Sequence, residues 1–172
     1  MKSEAQKAFD SVLRDLGLVL QPRGFLKSGS TFRQVAGGNS GVINVQRSQS
    51  SNADAVKFTL NAGVVCGRLL RDWQPSLKKA GASEAHLRVR PGFFLEGYPD
   101  KWWVLEGSEA ASQVGAEVCS LTETQIAPFV QDHLSEKALI GLWQSGRSPG
   151  LTEKQRVDLL HELTTVSELH DL

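Results

Sequence analysis

An alternation of apolar and polar residues in the middle of the chain constrains the fold more than any other feature. From Val56 to Val64, in the run VKFTLNAGV, every second residue is apolar, and Lys57, Thr59 and Asn61 stand between them. Successive side chains of a strand point to opposite faces of a sheet. The run therefore predicts a β-strand with one buried face and one polar face.

Four other segments are predicted as strands of the same antiparallel sheet. They are STFRQVA (30–36), VINVQRS (42–48), AHLRVRPG (85–92) and KWWVLEG (101–107). Residues 37–41, GGNSG, are predicted as the hairpin loop between the first two, and residues 67–84 as irregular or partly helical. The result is a meander of about five strands.

Helical spacing of apolar residues precedes the sheet. From Ala5 to Leu16 the apolar residues follow the three-and-four spacing of one stripe. This pattern predicts a helix over residues 4–16, with Ser3 as its N-cap and Gly17 as the residue that ends it.

Helical spacing returns in the last third of the chain. Thr122 with Gln125 resembles a capping box, Pro128 fits the first turns of a helix, and Thr152 opens a final amphipathic helix. The predicted fold class is therefore α+β, with an N-terminal helix, an antiparallel meander, and C-terminal helices packed on one sheet face.

The 172 residues fit one domain, with a helix-plus-sheet part (1–107) and a helical part (108–172). The first part holds 15 Lys and Arg against 9 Asp and Glu, and the second 4 against 10. We expect the two parts to attract each other within one fold, while the alternative is a basic sheet that faces an anionic partner. Zero net charge argues against a nucleic-acid binder.

Targeting, metal and cofactor signals are missing from the sequence. The N-terminus is charged throughout, and no run approaches the ~20 apolar residues of a membrane span, which favours a cytoplasmic protein without a membrane partner. Cys66 and Cys119 are expected to be reduced structural thiols. The histidines, His86, His133, His161 and His170, are scattered, so no metal site is predicted. No cofactor fingerprint occurs either.

Residues 146–150, GRSPG, place a serine between two glycines. The spacing is not that of a nucleophile elbow, so the segment is predicted as a turn between helices. No residue receives a catalytic role on sequence grounds.

One polar face of the predicted sheet gathers the candidate binding residues. Its members are Asn44, Gln46, Thr59, Asn61, His86, Arg88 and Arg90. Since Trp102 and Trp103 are neighbours in one strand, one of them belongs to this face and the other to the core. Guanidinium groups bind carboxylates or phosphates, amides fix orientation, and an indole stacks on planar groups. The set suits an anionic ligand with a planar part or an acidic protein surface; the alternative is a solvated face whose indole covers arginine stems.

The order of these segments resembles a known family. An N-terminal helix leads through LQPRGFLKSGSTFRQV to GVINVQRSQSS, and FTLNAGV, LRVRPG and KWWVLE follow. The chain resembles the bacterial domain-of-unknown-function family DUF4304 over about residues 5–145. The resemblance implies a compact α+β bacterial protein and brings no activity, cofactor or catalytic residue. The last helix, 151–169, departs from the shared pattern.

Two functions remain. The sequence favours a non-enzymatic interaction module, of immunity or regulatory type, that docks another protein. The alternative is a domain that binds a small anionic ligand or nucleotide, with weak hydrolytic or phosphotransfer activity. A concave pocket behind Arg88 and the outward tryptophan would favour the ligand, whereas a flat face would favour a protein partner.

Overall fold

The computed structural model describes residues 1–170, with the backbone alone at Ser108, Ala110 and 166–170. The helices are α1 (Glu4–Leu20), α2 (Ser108–Leu121), α3 (Ala127–Asp132), α4 (Glu136–Gln144) and α5 (Glu153–His170). The strands are β1 (Leu26–Ser28), β2 (Thr31–Ala36), β3 (Asn39–Arg47), β4 (Val56–Cys66), β5 (Leu87–Val89) and β6 (Trp103–Leu105). The predicted α+β class and order of elements are confirmed.

The strands form one antiparallel sheet in the order β1-β2-β3-β4-β5, with β6 also paired to β4. One edge of β4 is taken by β3. The other edge carries β6 against Val56–Phe58 and β5 against Ala62–Val64. The sheet is therefore a meander only as far as β4, beyond which two short strands share its free edge.

The predicted loop 37–41 is wrong in length. Only Gly37 and Gly38 form the turn, and Asn39 already pairs with Ala36. Both glycines have positive φ, 57° and 77°. That conformation suits a two-residue hairpin, whose turn must follow the twist of its strands.

The N-terminal helix is longer than predicted. Ser3 caps it as expected, since its side chain accepts a hydrogen bond from the Gln6 N–H. The helix continues through Gly17 to Leu20, which is fully buried and extends the apolar stripe by one turn. Packing of that stripe outweighs the low helix propensity of one glycine.

The capping box predicted at Thr122 and Gln125 is also wrong. These residues lie in a π-helical turn, Thr122–Ile126, that joins α2 to α3 without a break. Pro128 follows at the start of α3 and has no N–H to give an α-helical bond, which suits a wider turn here. The cap at Thr152 is confirmed, because its Oγ1 accepts from the Gln155 N–H at 3.2 Å.

The main core lies between one sheet face and the helices. Its largest fully buried side chains include Phe58, Leu60, Leu87, Leu16, Leu139 and Trp143. Among the described side chains, three ion pairs also join the basic and acidic parts of the chain: Arg68–Glu136 (3.0 Å), Arg71–Glu162 (2.6 Å) and Lys101–Glu117 (2.7 Å). Through these pairs, part of the excess positive charge of residues 1–107 is neutralised by the excess negative charge of residues 108–172 within the fold.

The opposite sheet face carries a small apolar cluster at one end. There Val42 and Val65 pack with Ala80 and Ala85 of the connection between β4 and β5. Arg33 fixes that connection by donating from Nε to the Ala80 carbonyl oxygen at 2.7 Å. Of the predicted polar residues, Asn44 and Asn61 lie on the uncovered part of this face, whereas Thr59 is fully buried and donates from Oγ1 to the Lys101 carbonyl oxygen at 2.8 Å. Among residues 1–170, no helix has the length and apolar character to cross a membrane.

Candidate functional site

The uncovered part of the polar face is a floor of side-chain amides. Asn44 and Asn61 lie directly opposite each other on β3 and β4. Asn44 donates from Nδ2 to Thr31 Oγ1 at 2.9 Å, and Asn61 donates from Nδ2 to Gln46 Oε1 at 2.6 Å. These bonds fix both amide planes and leave each Oδ1 without a hydrogen-bond partner among the described residues.

Three segments surround this floor and form the walls of an open cavity of about 1160 Å³. They are residues 81–83 before β5, the loop 92–100 after β5, and the turn 146–150 between α4 and α5. The polar and aromatic side chains in the lining are Thr31, Asn44, Asn61, Ser83, Arg88, Arg90, Phe93, Tyr98, Asp100, Arg147 and Ser148. The face is therefore concave.

Arg88 is held at the edge of the cavity by its neighbours. It donates from Nε to the Ala85 carbonyl oxygen at 2.8 Å and from Nη2 to the Ser83 carbonyl oxygen at 2.6 Å. Its Nη1 has no hydrogen-bond partner among the described residues. The backbone of the turn 146–150 lies on the same residue, since a Cβ added to Gly150 would stand 2.5 Å from the Arg88 carbonyl oxygen. Turn and strand thus bring Arg88 and Arg147 into one cavity.

Arg90 forms a local cluster with Trp102. Its Nη2 lies 3.1 Å from Asp100 Oδ1, and Trp102 donates from Nε1 to Asp100 Oδ2 at 2.9 Å. The Arg90 guanidinium and the Lys57 ammonium lie 5.3 and 5.2 Å from the Trp102 ring centre. Asp100 therefore neutralises Arg90, while Trp102 stands behind Arg90 and outside the cavity lining.

The tryptophan pair divides between the two faces as alternation predicted. Trp103 is 3% exposed and stacks on Phe58, with ring centres 5.7 Å apart. It is a core residue and takes no part in the polar surface. Trp102 is the half-buried, outward member.

His86 does not lie on a wet sheet face beside Arg88, as the sequence suggested. Its Nδ1 accepts a hydrogen bond from the Cys66 N–H at 3.0 Å, and burial lowers the pKa of the imidazole to about 4. The ring borders a separate cavity of about 310 Å³ on the far side of Arg88. At neutral pH His86 is an uncharged structural acceptor.

Of the seven residues predicted on the polar face, the structure brings Asn44, Asn61, Arg88 and Arg90 into the cavity. Gln46 lies outside the lining and contacts it through Asn61, and Trp102 lies outside the lining and contacts Arg90 and Asp100. Sequence reasoning missed Phe93, Tyr98, Arg147 and Ser148. Two of these belong to GRSPG, whose sequence predicts only a turn, because nothing in it shows that this turn returns to β5.

The described residues offer no cluster of three or more His, Cys, Asp or Glu side chains that could hold a metal ion, and the His170 side chain lies outside them. Both cysteines are free thiols. Burial raises the pKa of the Cys66 thiol and raises that of Cys119 to about 11. At neutral pH both thiols are therefore protonated and poor nucleophiles.

The family comparison gives a match over residues 16–132, to the family described as Domain of unknown function (DUF4304). The match covers more than half of the chain. The chain belongs to the DUF4304 family. The matched span contains the whole sheet and the floor of the cavity but ends before the turn 146–150. The DUF4304 match thus includes Arg88 and Tyr98 and leaves out Arg147 and Ser148. Comparison with curated proteins and with solved structures gives no match.

Proposed function

We propose that this chain is a binding module for a small anionic ligand, held in the cavity above the polar sheet face. One observation carries the proposal. Three arginines line a concave cavity, and Asp100, the one carboxylate among its described lining residues, is already paired with Arg90. Arg88 and Arg147 therefore leave the cavity with a positive field that an anion would neutralise.

The shape of this surface favours a ligand over a protein partner. Stable protein interfaces are broad and rather flat, whereas small-molecule sites are concave and hold a few fixed polar groups. Here the amides of Asn44 and Asn61 are fixed by their own hydrogen bonds, and Arg88 is fixed by two backbone carbonyl oxygens. Such preorganised groups bind a ligand without a large cost in side-chain entropy.

Docking of another protein is the second candidate. Trp73, on the connection between β4 and β5, has a side chain that is 81% exposed, and tryptophan is common at the centres of protein interfaces. Catalysis is no part of the proposal. Bacterial origin, cytoplasmic location and an immunity or regulatory role stay predictions from the sequence.

The test is isothermal titration calorimetry with a panel of phosphates, carboxylates and nucleotides. We expect at least one small anion to bind, and Arg147→Ala to weaken its binding by about tenfold, because a hydrogen bond to a charged group is lost. Arg14→Ala is the matched control, since Arg14 lies on α1 and makes its contacts with Ser11 and Asp15.

Two results would count against the proposal. One is a panel in which no anion gives a heat of binding. The other is an equal effect of Arg147→Ala and Arg14→Ala, because binding would then not involve the cavity. Loss of a protein partner on Trp73→Ala, with no effect of Arg147→Ala, would support the second candidate in its place.

A further inference from the structure

We infer that the ligand is a nucleoside monophosphate or a molecule with the same three parts, namely a planar ring, a hydroxylated linker and a phosphate. This inference rests on the proposed function. Each part has a matching surface in the cavity. Aromatic side chains form one part of the wall, unpaired donors form another, and amide oxygens form the floor.

The aromatic part of the wall comes from the loop 92–100. Phe93 is 38% exposed and Tyr98 is 76% exposed, with ring centres 6.4 Å apart. Phe93 is anchored from behind by Phe94 and Phe129, at 5.1 and 5.6 Å. The ring of Tyr98 is thus open to a second ring that stacks on it.

The backbone of Tyr98 supports a role for its side chain. Tyr98 has a φ of 50°, a left-handed conformation that is uncommon for residues other than glycine. The loop is closed tightly beneath it, because a Cβ added to Gly92 would lie 1.7 Å from the Pro99 carbonyl oxygen. A bulky aromatic residue held in an unfavourable conformation at a cavity is typical of a functional position.

The phosphate end lies where the turn 146–150 packs on Arg88. The side chain of Arg147 forms no hydrogen bond or ion pair with a described residue, and Nη1 of Arg88 has no such partner either. The hydroxyl of Ser148 is buried, and it too lacks a partner among the described residues. The two guanidinium groups supply the donors that the oxygens of a phosphate monoester accept from.

The floor suits the hydroxylated linker. Asn44 and Asn61 each use Nδ2 for a protein hydrogen bond and present Oδ1 as an acceptor. Asn44 and Asn61 are cross-strand neighbours, so these acceptors come from adjacent strands of the floor. Sugar hydroxyls are donors that such acceptors bind, and at about 1160 Å³ the cavity has room for ring, sugar and phosphate together.

The experiment compares adenosine monophosphate with its parts by calorimetry. The probes are adenosine monophosphate, uridine monophosphate, adenosine, ribose 5-phosphate and inorganic phosphate. We expect the two nucleoside monophosphates to bind most tightly. Adenosine should bind more weakly because it lacks the phosphate, and ribose 5-phosphate should bind more weakly because it lacks the planar ring. Tyr98→Ala should weaken binding of adenosine monophosphate by about tenfold without changing that of ribose 5-phosphate.

Tyr98→Phe is the matched control, because it keeps the ring and should bind as the wild type does. Arg147→Ala should weaken both phosphates equally and leave adenosine unchanged. Equal affinity for ribose 5-phosphate and adenosine monophosphate, or no effect of Tyr98→Ala, would overturn the ring assignment while the anion site stands. Binding of carboxylates through Arg147 with no binding of any phosphate would overturn the phosphate assignment alone. Absence of binding by every anion would remove the proposed function itself.

Discussion

We expect His86 to make the stability of the protein depend on pH. Its folded pKa of about 4 lies below the ordinary value of 6.5 because the ring is buried. Between these values the unfolded chain binds more protons than the folded chain. The stabilisation is therefore complete above about pH 6.5 and is lost as the pH falls towards 4, by at most about 3 kcal/mol.

Urea unfolding at a series of pH values from 7.5 to 4.5 measures this loss. His86→Asn should flatten that part of the curve, since its amide oxygen can accept from the Cys66 N–H and does not titrate. His161→Gln, at an exposed position on α5, should leave the curve unchanged. A curve for His86→Asn that parallels the wild type would show that another group is responsible.

For single residues, the sequence predicts which face of the sheet a side chain points to, but not whether that side chain is buried. Alternation alone requires Trp102 and Trp103 to face opposite sides, and the structure adds only which one pairs with Phe58 in the core. The same alternation placed His86 beside Arg88, but it could not show that the connection before β5 covers the imidazole. Burial of a particular side chain depends on segments that are distant in sequence.

Among the elements, the turn 146–150 depends most on the identity of a single residue, Gly150. Gly150 has a φ of 70° and packs on the backbone of Arg88, whereas Gly146 has a similar φ of 74° and nothing within 4 Å of an added Cβ. Gly150→Ala should therefore displace the turn from β5, while Gly146→Ala bears only the backbone strain. Comparing the two variants separates the effect of the contact with Arg88 from the effect of the left-handed backbone conformation.

We expect Gly150→Ala to lower the free energy of unfolding by about 1–2 kcal/mol more than Gly146→Ala, since most substitutions that force a backbone shift fall in that range. Chemical denaturation of the two variants measures the difference. If an anion binds the wild type, Gly150→Ala should weaken it more than Gly146→Ala does. Equal stability and equal affinity in both variants would mean that the contact with Arg88 does not position the turn.

Element boundaries were predictable where a local signal dominated. The caps at Ser3 and Thr152 follow from side-chain hydrogen bonds within three residues. The end of α1 and the π-helical turn did not follow, because burial of Leu20 and the missing N–H of Pro128 act through packing and through the preceding turn. Local chemistry fixes caps more firmly than it fixes lengths.

For the whole molecule, the fold class and the order of elements along the chain could be read from periodicity, but the cavity could not. Its parts come from β3, β5 and the turn between α4 and α5, which together span about a hundred residues of the chain. They meet because β5 occupies the free edge of β4 and the turn lies on Arg88. Neither the pairing of β5 with β4 nor the packing of the turn on Arg88 can be predicted from the local pattern of residues.

The same relations predict that the chain unfolds as one unit. Leu163 on α5 and Trp143 on α4 are fully buried in one core cluster with Phe58 and Trp103 of the sheet, although α4 and α5 lie outside the family match. Tryptophan fluorescence and far-ultraviolet circular dichroism should therefore report one coincident transition in urea.

Leu163→Ala tests whether α5 belongs to that unit. It should lower the free energy of unfolding by about 2–4 kcal/mol while the two signals still coincide, because the cavity left behind would weaken the shared core. Val157→Ala, on the exposed side of the same helix, should have little effect. A transition in circular dichroism that precedes the change in fluorescence would show instead that α5 unfolds apart from the sheet, and the turn that it holds against Arg88 would then be lost before the core.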